Sequence, residues 1–207
     1  MLLPSGRPVD RSKDKAILLA AREILLRDGA GALTMEAVAT KAVVSKATLY
    51  SRYSNRNELI EAVLRAQSDF FVESLSLSVS TQEQWLVAAE GFSLRLLDYL
   101  FSDDHLCLLK TLQGHECMPV ELRDRMYELG PLATCQQVEA FLAQSHQAGI
   151  IDCPDPVFSA ECLFGMLVGM DMIRNLFQQP PKRRPDNLTA HVNRVLGHFL
   201  QMHHIAK

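Results

Sequence analysis

The chain has 207 residues, 48% of them hydrophobic, so it can bury one sizeable core or two smaller ones. Its formal net charge is only −3, which excludes a general polyanion-coating protein. The apolar start at residues 1–4 and the longest uncharged apolar run, residues 162–170, are too short for a signal peptide or a membrane span, so we expect no membrane partner and a cytoplasmic location.

Positive charge is concentrated at the N-terminal end. Residues 1–65 contain 11 Lys or Arg and 7 Asp or Glu, a net of +4, whereas the remaining residues carry a net of −7. This division focuses attraction for a polyanion on one end of the molecule. Two interpretations of the basic arm stay open, a segment that follows a DNA minor groove or a solvated tail; its cations are Arg7, Arg11, Lys13 and Lys15.

Residues 34–59 have the pattern of two short helices joined by a tight turn. Thr34 and Ser45 stand at the positions of helix N-caps. Small apolar residues pack the first helix: Ala37, Val38, Ala39 and Ala42. The second helix places Lys46, Thr48, Tyr50 and Arg52 around an inward Leu49. A helix of this size fits the DNA major groove, about 12 Å wide, so the pattern predicts a helix-turn-helix.

This segment resembles the TetR family of transcriptional regulators, whose N-terminal domain usually reads AGVS-x-x-T-L-Y-x-x-F-x-x-K-x-x-L. The matching residues are Ala42-Val43-Val44-Ser45, Thr48-Leu49-Tyr50, Tyr53, Arg56 and Leu59, and the likeness extends through Gly6-Arg7-Pro8, Ala20-Ala21 and Gly29 over residues 6–66. It implies an all-α fold, with an arm and a three-helix DNA-binding domain at residues 1–66. A helical effector-binding and dimerisation domain is expected at residues 67–207, and its sequence loosely resembles the AefR-like subgroup.

The resemblance also implies which residues contact DNA. Four are expected to face the groove: Lys46, Ala47, Ser51 and Arg52. Four others are expected to contact the DNA backbone: Thr34, Thr48, Tyr50 and Arg56. The cap residue Ser45 belongs to the same predicted DNA-binding surface. Lys46 and Arg52 have the donors that guanine O6 and N7 accept, Ala47 suits a thymine methyl and Arg56 suits a phosphate. The alternative is an ordinary three-helix core with a solvated basic face.

Val43 departs from the family pattern, which usually has glycine in the turn. A β-branched residue resists the positive φ that glycine adopts at little cost. Two hypotheses follow, a strained turn or a rebuilt one.

Helical periodicity continues through the rest of the chain, without strand alternation or repeats. A helix at residues 56–75, with Leu59, Val63, Ala66 and Phe70 on one face, is expected to connect the two domains. Further helices are predicted at residues 81–101, 103–117, 119–147 with a break near Gly130-Pro131, 156–177 and 188–203.

The predicted helix at residues 156–177 is apolar on most of its circumference, and Gly165 and Gly169 permit another helix to approach it. With the last helix it is expected to form a homodimer interface; the alternative is an intramolecular core. The run Lys182-Arg183-Arg184 is interpreted as a solvated loop.

An effector pocket is implied by the family, and its ligand and residues stay unknown. Candidates that line a pocket or merely fill the core are Trp85, Phe92, Leu96, Met118, Phe141, Met166 and Met170.

The sequence therefore predicts a ligand-released repressor that acts as a homodimer on a palindromic double-stranded operator, without a cofactor. Five cysteines without a CxxC pair indicate free thiols in a reducing compartment: Cys107, Cys117, Cys135, Cys153 and Cys162. A cysteine-based redox sensor of the same fold is the alternative. A further alternative is an enzyme, which only two features suggest, the run His115-Glu116-Cys117 and the pair His191 and His198. Neither feature is specific, because no catalytic or metal motif accompanies them.

Overall fold

The computed structural model describes residues 11–76, 78–103, 105–106, 109 and 120–204, and these residues form helices and loops without a strand. The all-α prediction is therefore confirmed. The helices are α1 (Arg11–Arg27), α2 (Met35–Lys41), α3 (Lys46–Tyr50), α4 (Arg56–Val72), α5 (Gln82–Leu100), α6 (Val120–Tyr127), α7 (Ala133–Gln147), α8 (Pro156–Val168), α9 (Asp171–Leu176) and α10 (Leu188–Met202). The described residues of the helix predicted at 103–117 are helical, and its remainder, including residues 110–117, lies outside the described residues.

The first core lies among α1, α2, α3 and the start of α4. Ile17 and Ala21 of α1, Val38 of α2, Leu49 of α3 and Ile60 of α4 are all fully buried there. Because each short helix contributes only one apolar face, these four helices stabilise one another and leave the outer face of α3 exposed.

The second core is formed by the end of α4 together with α5, α7, α8 and α10. The Trp85 ring lies between Phe141 and Phe199, with ring centroids 5.8 Å and 5.9 Å away. This stack joins α5, α7 and α10, and the three rings have little or no exposed surface. Such aromatic contacts add to the stabilisation that burial of the rings already provides.

Helix α4 contributes to both cores, as expected for a connecting element. Leu59 and Val63 lie in the first core, and Phe71 and Val72 lie in the second. The prediction for Phe70 was wrong, because this side chain is half exposed and its neighbour Phe71 is buried instead. The predicted domain boundary between residues 66 and 67 falls inside α4 and stays a prediction.

The α-helix is interrupted near Gly130-Pro131, as predicted, but the chain stays helical through the interruption. A π-helical segment, Glu128–Leu132, contains Pro131 and joins α6 to α7. The wider turn accommodates a residue that lacks a backbone N–H donor, so the chain continues as one irregular helix.

The prediction of one continuous helix at residues 156–177 was wrong, because the chain forms two helices there. Gly169 has φ 52° and ψ −134°, a conformation open almost only to glycine, and it separates α8 from α9. The side chain of Asp171 is buried beyond this break and accepts hydrogen bonds from the backbone N–H groups of Lys182 (3.0 Å) and Arg183 (2.8 Å). The two segments therefore differ in direction.

The solvated-loop interpretation of residues 182–184 was wrong for Arg183. Its guanidinium lies 3.3 Å from Asp171 Oδ1, and only 17% of its side chain is exposed. A Cβ atom at Gly169 would collide with this guanidinium, so the ion pair also explains why glycine occupies the break.

Candidate functional site

Two caps fix the positions of α2 and α3. Thr34 Oγ1 accepts a hydrogen bond from Ala37 N at 3.1 Å, and Ser45 Oγ accepts one from Thr48 N at 3.1 Å. The Thr48 hydroxyl is also 2.8 Å from the Ser45 hydroxyl. Both predicted caps are confirmed, and these hydroxyls hold the geometry of the second helix.

The turn before α3 keeps the backbone conformation that glycine favours. Val43 has φ 54° and is 89% exposed. Val44 N donates to Ala39 O at 3.0 Å, which closes the turn around the left-handed residue. The valine side chain therefore gains no packing in return for its unfavourable φ, as the strain hypothesis requires.

The outer face of α3 presents Lys46, Ala47, Tyr50 and Ser51 to solvent, because positions one, two, five and six of a short helix share one side. Tyr50 is 48% exposed. Lys46 Nζ lies 2.8 Å from Glu36 Oε1 of α2. This hydrogen bond and the paired charges raise the pKa of Lys46 and lower the pKa of Glu36. The surface combines a cation, a phenol, a methyl and a hydroxyl.

Arg52 and Arg56 have internal partners that the sequence did not reveal. The guanidinium of Arg52 is paired with Asp14 of α1. Arg56 donates from Nε to Leu33 O at 2.8 Å and from Nη2 to Ala30 O. Arg56 therefore holds the loop before α2, and its predicted phosphate contact requires that the guanidinium serve the loop and DNA together. The acidic partner of Arg52 lies 38 positions earlier, so spacing alone gave no signal of it.

A cavity of about 780 Å³ lies in the second half of the molecule, against α4. Residues from α4, α5, the described part of 103–109, α6, the π-helical segment, α7 and α8 surround it. Most of its surface is apolar, contributed by Leu64, Phe71, Leu96, Tyr99, Leu100, Met126, Leu132 and Phe164. The size and character suit a drug-sized apolar ligand.

Among the pocket candidates in the described part of the chain, only Leu96 lines this cavity. Trp85, Phe92 and Phe141 are buried core residues, as the alternative interpretation stated. Met166 packs against the core, whereas Met170 is exposed at the α8–α9 break. Met118 lies outside the described residues.

His105 is a residue of the cavity wall whose pKa is strongly lowered. Burial lowers its pKa from 6.5 to about 4, and its Nδ1 atom is buried and has no hydrogen-bond partner among the described residues. Its ring lies 4.7 Å from that of Tyr99. At neutral pH the wall therefore carries an uncharged imidazole.

Contacts from the cavity wall reach the first core directly. Arg22 of α1 donates from Nε to Gln67 Oε1 at 2.6 Å, and its guanidinium carbon lies 5.8 Å from the centre of the Tyr99 ring. Arg125 of α6 binds both carboxylate oxygens of Glu61, each at 3.0 Å. Gln67 and Tyr99 line the cavity, so α1 contacts two residues of its wall through Arg22.

The redox and metal interpretations receive no support from the described cysteines and histidines. Burial raises the pKa of Cys135 to about 11 and also raises that of Cys153, which suppresses the reactive thiolate. His191 Nε2 is 2.9 Å from Leu167 O, and His198 lies on the exposed side of α10. In the described part of the chain no group of three His, Cys, Asp or Glu residues is arranged to hold a metal. Cys107 and residues 115–117 lie outside it.

The fold and surface define a helix-turn-helix DNA-binding transcriptional regulator with an all-helical second domain. Two family models agree: "Bacterial regulatory proteins, tetR family" matches residues 17–63, and "AefR-like transcriptional repressor, C-terminal domain" matches residues 90–204. The chain belongs to the TetR family. It is a regulator rather than an enzyme.

Individual relatives are similar over shorter stretches. The DNA-binding transcriptional repressor TetR of Mycobacteroides abscessus is 42% identical over 119 residues, 58% of this chain and 62% of that protein. The HTH-type transcriptional regulator YdeS of Bacillus subtilis is 47% identical over 55 residues, 27% of this chain and 28% of that protein. The chain thus matches less than two thirds of the length of either relative.

A solved structure matches nearly the whole fold. The crystal structure of a TetR-family regulator from Mesorhizobium loti has a TM-score of 0.69 at 23% identity and covers 96% of this chain and 100% of its own. None of the helices in the described part of the chain combines the length and apolar character needed to cross a membrane.

Proposed function

We propose that the protein is a homodimeric repressor that binds a palindromic operator and is released from it by a small apolar effector. The observation that supports this most directly is the position of the cavity. Four lining residues, Leu64, Gln67, Ser68 and Phe71, belong to α4, whose first turns lie in the core that carries α3. A ligand in the cavity therefore contacts the same rigid element that positions the DNA-binding surface.

DNA contact is proposed for the exposed face of α3 and the groups around it. Lys46, Ala47, Tyr50 and Ser51 face solvent, and Thr34, Ser45 and Thr48 stand at the helix starts beside them. Arg52 and Arg56 complete the proposed set, with the internal partners described above. Such a short helix contacts one half-site, so affinity and specificity require a second copy.

The apolar face predicted to pair on the last helix is instead buried in the intramolecular core, so the proposed dimer relies on exposed apolar side chains of α8 and α9; the buried residues of α10 are Val192, Val195, Leu196 and Phe199. Phe158 is 63% exposed on α8, and Met170, Ile173 and Phe177 are exposed at and beyond the break. Gly165, with no side chain in contact range of its Cβ position, gives another helix room to approach. Exposed apolar side chains concentrated on two consecutive helices are more typical of interfaces than of monomer surfaces.

Sedimentation velocity of the wild type and two variants tests the dimer. Phe158→Glu places a charge in the proposed interface and is expected to shift the protein towards monomer, whereas Val87→Glu, on the exposed side of α5, is expected to leave its mass unchanged. A monomeric wild type at micromolar concentration would contradict the homodimer.

Selection of bound duplexes from a random pool tests operator recognition. A two-fold symmetric dimer is expected to enrich inverted repeats with half-site centres about one duplex turn, roughly 34 to 36 Å, apart. Enrichment of a single asymmetric half-site, or of no sequence, would contradict the proposal.

Ligand release requires that the effector bind the DNA-free conformation more tightly. A coupling free energy of about 1 to 3 kcal/mol changes operator affinity roughly 5- to 150-fold, and operator must weaken effector binding by the same factor. Titration of a cavity-binding compound with and without operator measures the factor by which operator weakens effector binding. Titration of operator with and without the compound measures the factor by which the effector weakens operator binding. Equal affinities in the two titrations, for every compound shown to occupy the cavity, would refute ligand-driven release.

A further inference from the structure

An ion pair connects α2 to the exposed face of α3. Lys46 Nζ of α3 lies 2.8 Å from Glu36 Oε1 of α2, and the two side chains are 59% and 60% exposed. The hydrogen bond from Lys46 lowers the pKa of Glu36, so the carboxylate stays ionised beside the lysine. Exposed pairs of this kind add little to the stability of a fold. The surface proposed to contact DNA therefore carries an acceptor directly beside a donor.

A carboxylate on this surface opposes DNA binding. DNA phosphates repel Glu36, and the ion pair neutralises Lys46, a cation of the same surface. A hydrogen bond from a base can offset this cost. In the major groove the base donors are the amino groups of cytosine and adenine, N4 and N6. Lys46 requires the opposite partner, an acceptor such as guanine O6 or thymine O4.

The edge of a single base pair offers both partners at a matching separation. In a Watson–Crick pair the amino group of cytosine or adenine donates to the keto oxygen of guanine or thymine, so these two groups are about 2.9 Å apart. Lys46 Nζ and Glu36 Oε1 are 2.8 Å apart. The lysine ammonium has three donors and can keep its bond to Glu36 while it contacts a base. A reversed base pair would place donor against donor and acceptor against acceptor, which is repulsive.

We propose that Lys46 and Glu36 together read one base pair of each half-site and select the strand that carries the keto base. A guanine facing Lys46 is expected to bind best, because it offers N7 beside O6, and a thymine second. The two reversed pairs are expected to bind about 5- to 150-fold more weakly for each half-site changed. This inference rests on the proposed function, and it adds Glu36 as a specificity-determining residue that the sequence did not indicate.

Fluorescence anisotropy with the full chain locates the base pair. An operator recovered by selection is changed at each half-site position to all four base pairs, and the wild type, Lys46→Met and Glu36→Gln are titrated with these duplexes. Each substitution is expected to reduce discrimination at one and the same position by about fivefold or more, because methionine has no charged donor and the glutamine amide both donates and accepts. For Glu36→Gln this loss is expected even though overall affinity rises with removal of the negative charge.

Exchange of the two groups is the decisive variant. Glu36→Lys combined with Lys46→Glu keeps an ion pair but exchanges donor and acceptor, so the preferred orientation of the base pair is expected to reverse. A second ion pair provides the matched control, because Lys41 Nζ also lies 2.8 Å from Glu23 Oε1 but joins α2 to α1. Lys41→Met and Glu23→Gln are expected to leave the base preference unchanged at every position. Circular dichroism melting of each variant confirms that it is folded.

Three results would overturn the joint readout while leaving operator recognition in place. The first is loss of discrimination at two different positions in Lys46→Met and Glu36→Gln, and the second is no loss at any position. The third is a folded exchange variant whose preferred orientation does not reverse. If the random pool yields no enriched sequence, the operator proposal itself fails and this inference fails with it.

Discussion

Arg22 of α1 and Gln67 of α4 are joined by a 2.6 Å hydrogen bond from Nε to Oε1, and this bond connects the DNA-binding core to the cavity wall. The same guanidinium lies over the ring of Tyr99, a second wall residue. A ligand that displaces either wall residue therefore changes the support of α1. Two further contacts make the same connection, the Arg125–Glu61 pair on α6 and α4 and the buried contact cluster of Leu26 of α1 with Met126 of the cavity wall.

A double-mutant cycle of Arg22→Ala and Gln67→Ala is expected to give a coupling free energy of about 0.5 to 1.5 kcal/mol in chemical denaturation. The physical reason is the half-buried, charge-assisted hydrogen bond between them. Arg22→Ala is also expected to reduce the factor by which a cavity ligand weakens operator binding. Arg194→Ala, which removes an exposed arginine of α10, is the control. Additive effects of the two alanine substitutions would show that the contact transmits nothing.

Lys46→Ala is expected to weaken operator binding and to relax its sequence preference, because Lys46 is expected to contact base edges in the groove. Glu36→Gln is expected to tighten binding, because it frees Lys46 from its ion pair and removes a negative charge from the DNA-facing surface. Fluorescence anisotropy with operator and base-substituted duplexes measures both, with Arg194→Ala on the exposed face of α10 as control. Unchanged affinity in both variants would remove Lys46 from the interface.

Arg56→Ala is expected to lower the free energy of unfolding of the DNA-binding core by about 2 to 3 kcal/mol, because two backbone carbonyls lose a charged donor. Those carbonyls belong to Ala30 and Leu33. Thermal melting of the variant in the absence of DNA measures this loss. An unchanged melting temperature would show that the internal bonds contribute little and would favour the phosphate contact as the main role of Arg56.

The sequence was most informative where local rules decide the structure. The caps Thr34 and Ser45, the start of α8 at Asp155-Pro156 and the last helix were all predicted, because each depends on neighbouring residues. The break at Gly169 was missed because it depends on Asp171 and Arg183, which meet only in the folded chain. The partners of Arg56 and the walls of the cavity are likewise set by tertiary contacts between distant segments.

Val43→Gly is expected to stabilise the protein by about 0.5 to 1 kcal/mol. A left-handed φ costs an L-residue about 1 to 2 kcal/mol, and the greater freedom of glycine in the unfolded chain offsets part of the relief. Since Val43 is 89% exposed, no packing is lost. Val43→Ala keeps a Cβ atom and is expected to increase stability by less than Val43→Gly does. Denaturant midpoints measure both, and a less stable glycine variant would contradict strain in the turn.

His105 is expected to make the protein less stable as pH falls from about 7 to 4. Its pKa is lowered by burial from 6.5 to about 4, so between these values the unfolded chain binds a proton that the folded chain does not. The free energy of unfolding therefore declines through this window, by an amount on the order of 3 kcal/mol, and the contribution of His105 is constant below pH 4. His105→Phe keeps a ring beside Tyr99 and is expected to remove this part of the slope, whereas His198→Gln, on the exposed side of α10, is expected to retain it. Denaturant unfolding at half-unit pH steps compares the three proteins; parallel curves for the wild type and His105→Phe would show that the imidazole titrates normally in the fold and that the cavity wall does not exclude its charged form.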